Sequence, residues 1–74
     1  MPFNYIAPVK RPIYFELHGN GIYATIDGEI EFFKSRFELY HFAAHDEREL
    51  IQVTAENHSQ LLASGAFAKD GEHE

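Results

Sequence analysis

The chain contains no cysteine, which excludes disulfide staples and thiolate zinc sites as sources of stability. It has no apolar run near the roughly 18 residues a membrane-spanning helix needs, so no membrane partner is expected. Its start lacks the basic region, apolar centre and small-residue cleavage site of a secretory signal, and a cytoplasmic location is the expectation. Basic residues are scarce: six Lys and Arg face twelve Asp and Glu, a formal charge of −6. Non-specific nucleic-acid binding draws on Lys and Arg at the phosphates, so direct nucleic-acid binding is not expected. Acidity of this size permits a basic partner, or mimicry of nucleic acid, and it also keeps a small protein dispersed. Proline is confined to Pro2, Pro8 and Pro12. There is no internal repeat and no low-complexity tract.

What remains is short and aromatic. Seventy-four residues allow one small domain, and such a domain buries only about 60% of the surface its unfolded chain exposes. Seven Phe and four Tyr must supply much of the core, each ring burying roughly 150–250 Å². Self-association is the other common way for so small a chain to gain buried area.

The clearest pattern runs from Ile13 to Asp27. Ile13, Phe15 and Leu17 alternate with Tyr14, Glu16 and His18; after Gly19-Asn20-Gly21, Ile22, Ala24 and Ile26 alternate with Tyr23, Thr25 and Asp27. Side chains on a strand repeat every two residues, so the pattern predicts a β-hairpin with one buried and one wet face. The glycines flanking Asn20 suit a tight three-residue connection that needs positive φ. Asp27-Gly28 is a two-residue type I′ signal, after which Ile30 and Phe32 continue the apolar alternation against Glu29, Glu31 and Phe33. Lys34-Ser35 is a weaker turn. Phe37, Leu39, Tyr40 and Phe42 then suggest a fourth strand by their aromatic density. Ile30, Phe33, Phe37, Tyr40 and Ala44 also match helical spacing, which leaves residues 30–44 open between two strands and a helix.

Residues 45–49 form a charged connection, and Leu50 to Val53 reads as a short strand. Thr54 offers a helix N-cap, Glu56 suits the positive end of the helix dipole, Leu61 and Leu62 supply an apolar stripe, and Gly65 closes the helix. The expected fold is therefore α+β: a small antiparallel β-meander of four to five strands with one short C-terminal helix over 55–64. Residues 1–12 form an extended Pro-containing arm, 13–68 a single domain and 69–74 an acidic tail.

The run Ile51-Gln52-Val53-Thr54-Ala55-Glu56-Asn57-His58-Ser59-Gln60-Leu61-Leu62-Ala63-Ser64-Gly65 resembles a segment of phage tail-fibre assembly proteins. Those show a short strand, a Thr or Ser cap, an acidic first turn, then a His or aromatic before paired leucines. The resemblance covers residues 51–65 alone. The Gln-rich continuation and further strand of that family are replaced here by Ala66-Phe67-Ala68-Lys69. It implies a phage or prophage origin, with the host cytoplasm as location, and does not carry a chaperone role with it.

Chemistry-bearing residues are thinly spread. Of the five histidines, His41 and His45 stand four apart, a spacing that shares one helix face and would suit a metal pair. On a strand the same two lie about 13 Å apart, at roughly 3.3 Å per residue, too far for one ion. Ser35, Ser59 and Ser64 have no nucleophile-elbow context, and His58 beside Ser59 does not face it on a helix. The carboxylates sit on wet strand faces, with no burial to raise a pKa for acid catalysis. No catalytic, cofactor-binding or metal-binding residue is assigned; no cofactor, enzymatic activity or small-molecule substrate is expected.

The arm carries Phe3, Tyr5, Ile6 and Val9, which are costly to leave in water at roughly 25 cal/mol per Å². They need a surface to lie on: this domain's own sheet, a second copy or another protein. The wet faces offer Tyr14, Glu16, Tyr23, Thr25, Glu29, Glu31 and Phe33 as a mixed aromatic and acidic surface, with aromatics of the kind enriched at interfaces. The partner-binding candidates are Phe3, Tyr5, Ile6, Val9, Tyr14, Tyr23 and Phe33. They point to a small interaction or structural protein that binds a protein partner or itself. The alternative is an acidic, nucleic-acid-mimicking inhibitor of a host nucleic-acid-binding enzyme.

Overall fold

The computed structural model describes residues 10–69. Three strands follow one another, β1 (Ile13–His18), β2 (Gly21–Ile26) and β3 (Glu29–Phe33). Then come helix α1 (Arg36–His45), strand β4 (Leu50–Gln52) and helix α2 (His58–Ala63). The sheet order is β3-β2-β1-β4. β1–β2 and β2–β3 are antiparallel, while β4 runs parallel beside β1. The architecture is α+β as expected, but the sheet is mixed rather than a pure meander, and there are two helices instead of one.

Both hairpin turns form where the glycines place them. Asp27 and Gly28 both take positive φ, at 54° and 85°, as a type I′ hairpin requires. At the first hairpin His18 pairs directly with Gly21, so the loop is the two residues Gly19-Asn20 rather than three. Of the two flanking glycines only Gly21 has positive φ, 153°.

The strand expected over 37–42 is instead the middle of α1. Ser35 caps it: its hydroxyl accepts from the Glu38 amide at 3.3 Å, and the Glu38 carboxylate accepts from the Lys34 amide at 3.1 Å. The Ser35 hydroxyl thus satisfies one of the donors that a helix start leaves open, and the Glu38 side chain reaches back past the cap to hold the incoming chain at Lys34. Leu39 and Ala43 face inward and are buried, with Phe42 partly so. Phe37 and Tyr40 point out to water. Aromatic density misleads here because those two rings do not pack in the core. At the far end Glu47 takes φ 58°, and the Glu47 and Arg48 amides donate to the Ala44 and Ala43 carbonyls at 3.1 and 2.8 Å. That pair of bonds closes the helix through a left-handed residue. Because α1 carries the chain back along the sheet, β4 enters alongside β1 in the same direction, as a parallel neighbour with a long crossover must. The Ile13 amide donates to the Glu49 carbonyl and the Val53 amide to the Phe15 carbonyl, each at 2.8 Å.

The core lies between α1 and one sheet face: Ile13, Phe15, Ile22 and Ala24 below, Leu39 and Ala43 above. Paired residues on antiparallel strands share a face. The register Ile22 with Phe33, Ala24 with Glu31 and Ile26 with Glu29 therefore sends Phe33 inward. It sends Ile30 and Phe32 to the opposite face, the reverse of the expected alternation. The two-residue Asp27-Gly28 turn dictates this, since a one-residue slip would flip the strand. Glu29 and Glu31 escape burial because they lie at the sheet margin and stay exposed.

The second face is covered in part by the C-terminal segment. The Phe67 ring meets Tyr14 edge-on at 5.8 Å and His58 at 5.7 Å, and Ala66 is buried. The helix expected over 55–64 is shorter: its N-cap is Asn57 rather than the expected Thr54, and Glu56 lies before it rather than in its first turn. The Asn57 amide donates to the Thr54 hydroxyl at 3.3 Å, and the Thr54 amide donates to the Asn57 side-chain oxygen at 2.8 Å. Gly65, at φ 81°, closes α2 with amide bonds from Gly65 to Leu62 and from Ala66 to Leu61. No helix among the described residues is long and apolar enough to cross a membrane.

Candidate interaction surface

The second sheet face is where the strongest functional candidates meet. From β1 it presents Tyr14, Glu16 and His18; from β2, Tyr23 and Thr25; from β3, Ile30 and Phe32. His18 meets Tyr23 edge-on at 4.8 Å, and Tyr23 leans on Phe32 at 5.2 Å. The three rings thus form a row across three strands that ends on β3, the outermost strand of the sheet among the described residues. Ile30 is 70% exposed and Phe32 45%, an unusual placement for two large apolar side chains on one sheet face. A Glu16 carboxylate oxygen lies 3.2 Å from His18 Nε2 and borders the row.

Tyr23, one of the residues expected to bind a partner, stands in this open row. Tyr14 shares its face but lies under Phe67, half-buried. Phe33 is on the other face, 5.8 Å from Phe42 of α1, so the structure does not bring it together with the two tyrosines. Glu29 and Glu31 go with Phe33 and border a shallow groove beside Phe42. Phe3, Tyr5, Ile6 and Val9 lie outside the described residues. Sequence reasoning missed Ile30 and Phe32 as surface residues, although counting register through Asp27-Gly28 finds them.

A charged network anchors the end of the sheet where the chain enters β1. Arg48, its side chain only 9% exposed, donates to both Asp27 carboxylate oxygens at 3.0 and 2.8 Å. It also donates to Asp46 at 2.7 Å and to the Arg11 carbonyl at 3.2 Å. Lys10 reaches the Asp46 carboxylate at 2.9 Å. Arg11 in turn donates to the Ala66 carbonyl at 2.9 Å, tying the C-terminal segment to the same corner. The bidentate bond from Arg48 holds the Asp27 carboxyl below its usual range. Bonds from Lys10 and then Arg48 do the same for Asp46, and Asp27 and Asp46 together keep Arg48 firmly protonated. Such a bidentate geometry is rigid as well as strong. It locks the β2–β3 turn, and so the register that turns Ile30 and Phe32 outward.

His41 and His45 do share a helix face, since residues 36–45 are helical. His41 stacks on Phe37 at 6.3 Å. No group of three or more His, Cys, Asp or Glu gathers as a metal site among the described residues. Comparison with family models, curated proteins and solved structures gives no match.

Proposed function

We propose that the chain is a small non-enzymatic interaction or structural protein of phage or prophage origin. It engages a protein partner, or itself, through its apolar N-terminal arm and the exposed sheet-face residues Tyr23, Phe32 and Ile30. The observation that carries this reading is the exposure of Ile30 and Phe32 on a sheet face, on a strand with no outer neighbour among the described residues. Taking them out of water is favourable by roughly 25 cal/mol per Å², and an edge strand can accept a further strand. The arm residues Phe3, Tyr5, Ile6 and Val9 have the same need for cover. The tail-fibre-like run at residues 51–65 supports the origin, and the host cytoplasm is the compartment that goes with it.

A photo-activatable phenylalanine placed at Phe32 or at Tyr5 of the full-length protein tests the reading. Irradiation in the native cytoplasm should cross-link both positions to protein, with yields that hold at high salt, because apolar contacts are little screened. Yields that collapse with salt would move the function to the acidic surface and to a basic groove that it mimics. Absence of protein cross-links at both positions would overturn the proposal.

A further inference from the structure

The outward face of α1 carries a second apolar stripe, unrelated to the sheet row. Phe37 is 78% exposed and Tyr40 47%, and His41 and Ala44 beside them are exposed too. Residues three and four apart share a helix face, so these four make one continuous strip opposite the buried Leu39 and Ala43. Its ends are charged with opposite sign. Lys34 and Arg36 stand at the N-terminal end and Glu47 just past the C-terminal end, all exposed. None of the three makes an ion pair among the described residues.

Two of these charges sit against local preference. Arg36 opens the helix at the positive end of its dipole, and Glu47 follows the negative end, although Glu38 has the favourable sign. Glu47 also holds φ 58°, in the left-handed region where glycine is the unstrained choice for closing a helix. A glutamate there costs the isolated chain stability on both counts.

We infer that the outward face of α1 is a self-association surface whose occupant is α1 of a second copy, packed antiparallel about a two-fold axis. Read in order, the strip is cation, large ring, Tyr40 and His41, small residue, anion; reversed, it is its own complement. With the axis between Tyr40 and His41, Phe37 lies over Ala44 of the second copy and Lys34 faces Glu47 of the second copy. Each helix dipole then runs beside an opposed one, and the charges at the two ends of the strip gain partners twice over. A ten-residue helix is about 15 Å long. The contact therefore belongs with small, reversible interfaces below about 1,200 Å². The surface is independent of the sheet row, so either can fail without the other.

Sedimentation equilibrium of the full chain, from about 10 μM to about 1 mM, covers the affinities expected of so small a contact. The average mass should climb from 8.5 kDa toward twice that value. Phe37→Asp should weaken association by about tenfold or more, as loss of a central aromatic anchor does. Glu47→Gly removes two exposed ion pairs from the two-fold contact and should weaken it by about threefold to tenfold, while thermal unfolding of the dilute monomer shifts upward. Lys34→Glu should weaken it similarly, and Lys34→Glu with Glu47→Lys should restore it. A mass that stays monomeric throughout overturns the inference. So does association that is unchanged in Phe37→Asp and Glu47→Gly, or a charge reversal that fails to restore.

Discussion

The two faces of the sheet are closed by different means. On one, α1 lays Leu39 and Ala43 directly over Ile13, Phe15, Ile22 and Ala24, and the contact excludes water. On the other, an irregular C-terminal segment covers Tyr14 with Phe67 and Ala66 and leaves Tyr23, Ile30 and Phe32 open. The helix face is held by side-chain packing. The opposite face is held by a few rings, a close backbone approach and a guanidinium corner. A thin domain can thus commit its best packing to one face and keep apolar area on the other, where it is free to meet something else.

Substitutions on the two faces should separate these roles. Leu39 is fully buried, and Leu39→Ala should cost about 2–5 kcal/mol, read by urea unfolding; a smaller loss would mean α1 is loosely seated. Gly28→Ala attacks the other face. Its φ is 85° and an added Cβ would collide with the Lys69 backbone. The loss should exceed about 1 kcal/mol, with faster hydrogen exchange at the Ala66 amide. Ser35→Ala removes the cap of α1, costing about 0.5–2 kcal/mol. Ile30→Thr should change stability by no more than about 0.5 kcal/mol while reducing cross-linking at Phe32. A large loss there would mean that the row is already part of the fold.

The charged corner joins both faces and has a pH signature. Asp27 and Asp46 have folded pKa values below their ordinary ones. They contribute stability that is present above the unfolded carboxylate range and lost as pH falls below about 4 through the folded values. In Arg48→Met both carboxylates lose a partner, so the unfolding midpoint should fall at pH 7 and its dependence between about pH 5 and pH 2 should flatten. An unchanged acid limb would show that the corner adds no linked stability.

Much of the architecture is legible in the chain itself. The period-two alternation of β1 and β2, the Asp27-Gly28 turn and the Gly65 stop all act through near neighbours, and all are present. The helical state of α1 also has a readable signal, because Ser35-Arg36-Phe37-Glu38 is a capping pattern that outweighs aromatic density. The inversion of β3 is readable too, since a two-residue turn that pairs Ile26 with Glu29 also pairs Ala24 with Glu31. The Arg48 corner is not. Its members are drawn from residues 10, 11, 27, 46 and 48, and no local spacing brings them together.

Where strands turn and helices stop is written in the order of the residues, because those features depend on φ preferences and hydrogen bonds within a few positions. The assembled fold alone decides that β4 lies parallel beside β1, that Arg48 gathers Asp27 and Asp46, and that Phe67 shelters Tyr14 while Ile30 and Phe32 stay open. Each of those follows from which elements share a face, and burial is a property of the assembled faces rather than of any one segment.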